Sequence, residues 1–170
     1  MLDLAHNKIS GILESWNYYD LRKLTSVDLS DNKLTGGLDI LFSPLIRKFN
    51  VSHNQFDRIA HTIKSRHALN TIESVDFSHN IINQDAVSTL QELPPNLKEL
   101  ILSNNQIHGT LPEEFPVLSF MKRFIANDNQ INGKLLNFPR SMPLVSEINL
   151  SNQKHNGGGL TGSIPTDLSR

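Results

Sequence analysis

A chain of 170 residues is long enough for one domain with a substantial core, and its 38% hydrophobic content is modest for a compact globule. The 16 basic and 17 acidic residues leave a net charge of -1, which gives no field to steer the protein to nucleic acid or an anionic membrane surface. No apolar run approaches the roughly 18 residues that insert directly into a bilayer, and the absence of cysteine excludes a disulfide framework and thiolate chemistry.

Met1 to His6 lack the basic-then-apolar layout of a secretory signal, so targeting information is expected outside this sequence. From Leu2 the chain reads LDLAHNKISG: Leu2 and Leu4 alternate, Asn7 and Ile9 follow, and Gly11 closes the phrase. It returns as VDLSDNKLTGGL at 27–38, FNVSHNQF at 49–56, VDFSHNII at 75–82, LILSNNQIHGTLP at 100–112 and FIANDNQING at 124–133. One asparagine recurs at Asn7, Asn32, Asn54, Asn80, Asn105 and Asn129, in steps of 25, 22, 26, 25 and 24 residues. A seventh copy begins with Val145, Ile148 and Leu150 and ends with LTGSIP at 160–165. The insertion NQKHNGGG separates its halves, leaving Asn152 or Asn156 as the equivalent asparagine.

The alternating apolar pair predicts a short strand with one face buried, and the asparagine marks where the chain turns away from it. An asparagine side chain offers donors and an acceptor, so stacked copies can satisfy backbone groups that a buried turn would leave unpaired. Gly11, Gly36, Gly109 and Gly133 each lie four residues after their asparagine, where a tight bend or positive φ favours glycine. The remaining residues of each copy return along the outside. One coil cannot bury its own apolar face, whereas stacked coils bury a continuous column.

In copies three and four, Arg58 and Gln84 replace the glycine, and Ala60 and Ala86 replace the apolar residue that follows it. Their outer segments, HTIKSRHALNTI at 61–72 and DAVSTLQEL at 85–93, read as true helices, unlike LPEEFPVLSF at 111–120. Irregular curvature is therefore expected near the middle of the array.

The pattern resembles the leucine-rich repeat. The phrases LDLAHNKISG, VDLSDNKLTGGL, NNQIHGTLP and GLTGSIPTDL resemble its plant-type class, found in receptor ectodomains and secreted inhibitors. The resemblance implies an α/β solenoid: a right-handed superhelix with a parallel sheet on the concave face and short helical or 3₁₀ segments outside. It covers essentially all of residues 1–170, a single array of about seven repeats. The cysteine-bearing caps common in extracellular members are missing at both ends. Because an uncapped solenoid exposes its apolar column and a sheet edge, this array is expected to be an interior piece of a longer protein. In the alternative reading, neighbouring subunits cover both ends.

Family members mostly bind proteins, peptides or small ligands on the concave face. The residues between the paired apolars form one column of that face: Asp3, Asp28, Asn50, Asp76, Ile101, Ile125 and Asn149. Ile101 and Ile125 would be strand neighbours about 4.8 Å apart, an apolar spot expected to anchor a partner. The column before the first apolar reads Ser26, Lys48, Ser74, Glu99, Arg123 and Glu147, and its last three members can pair across strands.

Ahead of the asparagine stand His6, Asp31, His53, His79, Asn104 and Asp128. Asp31, His53 and His79 form a line of potential ligands, yet zinc needs ligands converging tetrahedrally, and a column points side chains in parallel. No metal is therefore expected. His53 and His79 are instead candidates for a pH-sensitive contact, because imidazole titrates near neutrality. His61 and His67 read as surface histidines of an outer segment.

Two glycosylation triplets occur, Asn50-Val51-Ser52 and Asn149-Leu150-Ser151, both created by the repeat spelling itself. HNGGGLTG lacks the lysine and helix start of a phosphate loop, and the serines occupy the repeat's own position beside the second apolar. No enzymatic activity and no cofactor are implied. The expected function is recognition of another protein or peptide by the concave face, with Lys48, Asn50, His53, Asp76, His79, Glu99, Ile101, Arg123, Ile125 and Asn149 as candidate contacts. The expected location is extracellular or at the cell surface. The competing reading is a structural accessory subunit of a large organellar or membrane-associated assembly.

Overall fold

The computed structural model describes residues 1–13, 23–39, 45–60, 71–91, 93–135, 141–154 and 159–164. In chain order each coil contributes a first strand and then a second element. Coil one has β1 (Leu2–Asp3) and β2 (Ser10–Ile12), coil two β3 (Ser26–Asp28) and β4 (Lys33–Asp39), and coil three β5 (Lys48–Asn50) and β6 (Gln55–Ala60). Coil four has β7 (Ser74–Asp76) and a helix, α1 (Ala86–Leu90). Coil five has β8 (Glu99–Ile101) and β9 (His108–Thr110), coil six β10 (Arg123–Ile125) and β11 (Gln130–Lys134), and coil seven β12 (Glu147–Asn149) and β13 (Leu160–Thr161).

The first strands form one parallel seven-stranded sheet, β1-β3-β5-β7-β8-β10-β12, which lines the concave face of the solenoid. Its register stacks the copies residue for residue: Phe49 lies beside Val75, Leu100 beside Phe124, and Phe124 beside Ile148. Apolar residues of these strands point inward and bury almost completely; Val27, Phe49, Val75, Leu100 and Phe124 are at most 4% exposed. Outer segments complete the core with Leu38, Ile46, Ile72, Leu97, Leu118, Met121 and Met142. Phe115 reaches in from such a segment and sets its ring edge-on to Phe124 at 6.4 Å.

The asparagines weld coil to coil. Asn80 is 7% exposed; its Nδ2 donates to the carbonyls of Phe77 (3.1 Å), Ser78 (3.1 Å) and Val51 of the preceding coil (3.0 Å). Its Oδ1 accepts from the Phe56 amide at 3.0 Å. Asn32, Asn54, Asn105 and Asn129 repeat this set of partners, while the side chain of Asn7 in coil one, among the described residues, bonds Leu4 and Ala5 of its own turn. In coil seven the position belongs to Gln153, not to Asn152. Gln153 Oε1 accepts from Ile131 N–H at 3.0 Å, and its Nε2 donates to Ala126, Leu150 and Ser151 carbonyls. Asn152 instead takes the preceding place, where every copy has a left-handed backbone: His6, Asp31, His53, His79, Asn104, Asp128 and Asn152 have φ between 52° and 56°. Asparagine, aspartate and histidine are the non-glycine residues that tolerate this region best, which accounts for the residue types found there.

The segment after each asparagine, read from sequence as a turn, makes strands of its own. They form two three-stranded parallel sheets, β2-β4-β6 and β13-β11-β9, separated at coil four. Gly11, Gly36, Gly109 and Gly133, within these strands, and Gly162, just after β13, have φ from 82° to 101°. At coil four Gln84 stands where glycine would, and Asp85 caps α1 by accepting from the amides of Val87 and Ser88. The second sheet is thus broken at coil four. The helix expected over 85–93 is the five-residue α1; most of the one expected over 61–72, including His61 and His67, lies outside the described residues, as does Asn156.

Candidate recognition face

The outward positions of the long sheet make three columns. In the central one, most polar side chains close their own strand ends. Asp28 Oδ1 accepts from the Ser30 amide (2.9 Å) and hydroxyl (2.6 Å), and Asp76 Oδ1 does the same with Ser78 (2.9 and 2.6 Å). Asn149 Oδ1 likewise accepts from Ser151 N–H (3.1 Å) and Oγ–H (2.8 Å), whereas Asn50 accepts from Ser52 N–H at 3.0 Å and donates to Asp28 Oδ2 at 3.1 Å. These short-range bonds are the local turns that Asx residues favour. Their signal in the sequence was the serine two places after each acid or amide.

Ile101 and Ile125 interrupt that polar column and are register partners on β8 and β10. Ile101 is half-buried and Ile125 only 8% exposed, so the apolar spot is narrower than the sequence implied and Ile101 supplies most of it.

In the second column Arg123 lies between two carboxylates. It bonds Glu147 through Nε at 2.6 Å and Glu99 through a guanidinium nitrogen, while Ser74 donates to the other Glu99 oxygen at 2.8 Å. Hydrogen bonding to Glu147, reinforced by Glu99, holds the Arg123 guanidinium above its ordinary range. Lys48 is exposed at the start of β5. On the flank beyond it, Glu73 takes both Arg47 (2.5 Å) and Lys98 (2.8 Å); Lys98 first, then Arg47, lower its carboxyl below the usual range.

The third column carries the left-handed residues. His6 Nδ1 meets Asp31 Oδ2 at 2.8 Å, and that bond raises the His6 imidazole. His53 and His79 stack face to face, with centroids 4.0 Å apart and planes 11° from parallel. Asn104 Nδ2 approaches His79 Nε2 at 3.4 Å. Burial, and then the His53 charge, lower the His79 imidazole. Stacked rings hold their lone pairs in parallel planes, an arrangement that does not converge on one ion; among the described residues no three His, Cys, Asp or Glu side chains group as metal ligands.

The Leucine Rich Repeat family model matches residues 23–45 and 96–118, the second and fifth coils of the array. Across 163 residues the chain is 31% identical to Receptor-like protein 32 of Arabidopsis thaliana, covering 91% of this chain and 18% of that protein.

This chain is a plant-type leucine-rich repeat array.

A second relative, Receptor like protein 24 of Arabidopsis thaliana, is 26% identical over 176 residues, covering 99% of this chain and 19% of its own length. The repeat array therefore spans about a fifth of the length of these relatives. Among solved structures, the Arabidopsis receptor kinase HAESA, in complex with the peptide hormone IDA and the co-receptor SERK1, superposes with a TM-score of 0.77 at 25% identity. That match covers 98% of this chain and 27% of HAESA. A TDR receptor shares the fold with a TM-score of 0.77 at 22% identity, over 98% of this chain and 28% of its own. Among the described residues no helix is long and apolar enough to cross a membrane.

Proposed function

We propose that this leucine-rich repeat array is the recognition surface of an extracellular or cell-surface receptor-like protein, holding a peptide or protein partner on the concave face. The observation that carries the reading is a seven-stranded parallel sheet whose outward columns change character along the array. Asp28, Asn50 and Asp76 give a polar stretch, and the half-buried Ile101 then breaks it with apolar surface. An extended partner can follow such a face, meeting charge first and an apolar anchor next. Similarity to receptor-like proteins and to a receptor kinase crystallised with a peptide hormone supports the same reading.

Lys48, Asn50, His53, Asp76, His79, Glu99, Ile101, Arg123, Ile125 and Asn149 are the contact set of this proposal. Arg123 bridges Glu99 and Glu147, so most of the charge of this trio is satisfied within the sheet. Ile101 is the anchor, with Ile125 packed beside it. The test is affinity capture from an extract of the source tissue on the immobilised chain, with partners identified by mass spectrometry. Ile101→Arg, alone and together with Ile125→Arg, removes the captured partner while the circular dichroism melt stays that of a folded array. Capture that survives Ile101→Arg overturns the assignment of the anchor.

A further inference from the structure

Along the turn edge of the concave face the third column runs His6, Asp31, His53, His79, Asn104, Asp128. The inner faces of the His53 and His79 rings are against each other at 4.0 Å, and Asn104 approaches His79 at 3.4 Å. The side of the stack toward coil two is different. Asp31 stands there, its Oδ2 drawn off to His6 and its Oδ1 without a partner among the described residues. The His53 side chain is exposed and makes no hydrogen bond among the described residues, so the stack presents an aromatic face on the side where Asp31 stands.

A planar cation fits that pair of features better than a compact one does. Guanidinium stacks on aromatic faces and forks onto carboxylates, whereas ammonium is a strongly hydrated point charge. We infer that the open face of His53, backed by His79 and flanked by Asp31, is a docking point for an arginine side chain of the partner, held near neutrality and released on acidification. The inference rests on the concave-face reading above and adds the chemistry of one contact.

The surrounding charges set the sign. Asp76 of β7 and Asp128 of coil six act on His79, Asp31 and Asp28 belong to coil two, His6 lies beyond Asp31 and is bonded to it, and Lys48 is the cation of β5 itself. Asp28 is tied to Ser30 and Asn50, Asp76 to Ser78, and Asp128 to Asn127 and Asn152 with Lys154 at 3.8 Å. With neutral imidazoles the edge is net acidic and attracts a cation. Protonation of His53 or His79 places a positive charge against the guanidinium, and protonation of both sets like charges face to face.

The test uses the full chain and N-acetyl-arginine amide as probe, reading the ring resonances of the histidines by NMR. At about pH 7.5 the probe shifts His53 saturably with millimolar affinity, and at about pH 5 the affinity falls at least roughly tenfold. His53→Asn and Asp31→Asn abolish the response; His53→Asn preserves the backbone because Asn104 already occupies the same left-handed position at φ 55°. Ile101→Arg leaves it intact, so failure of the apolar anchor and failure of this contact are separable. Equal response to N-acetyl-lysine amide, binding that strengthens toward acid, a response to N-acetylglutamate instead, or no saturable shift would each overturn the assignment.

Discussion

Gln84 and Ile59 face each other like strand partners although one of them is a side chain. Gln84 Oε1 accepts from Ile59 N–H at 2.6 Å, and Gln84 Nε2 donates to Ile59 C=O at 3.0 Å. A primary amide reproduces both groups of a backbone peptide, so Gln84 stands in for the strand that coil four lacks and covers the edge of β6. Gln84→Ala leaves both Ile59 groups unbonded beneath a half-buried position. The substitution is expected to lower stability by about 1–2 kcal/mol, read as an earlier urea midpoint at constant slope. An unchanged midpoint would show that water serves that edge equally well.

The asparagine series makes a graded prediction. Asn80 bonds four backbone groups and is 7% exposed, whereas Asn7 bonds two and is exposed. Asn80→Ala is expected to cost about 2–4 kcal/mol, and Asn7→Ala within about 0.5 kcal/mol of nothing. Denaturant titration of the two variants side by side checks the ranking, and equal losses would contradict the welding role of the ladder.

Gly109 and Asp85 are coupled by space. A Cβ on Gly109, at φ 82°, would come within 2.2 Å of Asp85 Oδ2, whereas one on Gly11, at φ 101°, would meet nothing within 4 Å. Both alanine variants bear the cost of a left-handed backbone, about 1 kcal/mol, but only Gly109→Ala also displaces the cap of α1. Gly109→Ala should therefore destabilise the array more than Gly11→Ala. In a double-mutant cycle, Asp85→Ala should cost less in the Gly109→Ala background than alone. Additivity would mean that the helix does not depend on that approach.

Stability and pH are linked through two histidines of opposite sign. His79 is lowered in the folded chain, by burial first and His53 second, so its contribution is present above the unfolded value of 6.5 and is lost as pH falls through the lowered folded value. His6 is raised by Asp31, so its contribution is present below 6.5 and is lost as pH climbs through the raised folded value. His79→Asn, which keeps the left-handed turn, should flatten the acid side of the urea-midpoint profile. His6→Asn should flatten the side just above neutrality. A profile unchanged by His79→Asn would contradict the stacked pair in solution.

The array itself was legible because each copy repeats the physics of one strand and one turn: Leu100 and Leu102 alternate, Asn105 follows three residues after Leu102, and the register does the rest. Gln153 was hidden by letter identity. It lies three residues after Leu150, as Asn105 does after Leu102, and its amide reaches the same carbonyls through one more methylene. The second sheets were hidden for a different reason. Segments such as Lys33–Asp39 carry glycines at positive φ that read as turns, and only stacked neighbours give them the pairing that makes a strand. On the concave face the alternation located Ile101 and Ile125, but burial of Ile125 depends on cross-strand neighbours that no single copy reveals. The stacking of His53 on His79 followed from register, since both precede a ladder asparagine; its tightness required the left-handed backbone.

Recognition by the concave face would leave its mark on backbone exchange along the long sheet. Hydrogen exchange of the full chain, free and saturated with the captured partner, tests it most directly. Slowed exchange is expected in β5, β7, β8 and β10 and in the turns at His53 and His79, with α1 and β11 unchanged. Protection confined to α1, β9 and β11, with the long sheet exchanging as in the free chain, would contradict it.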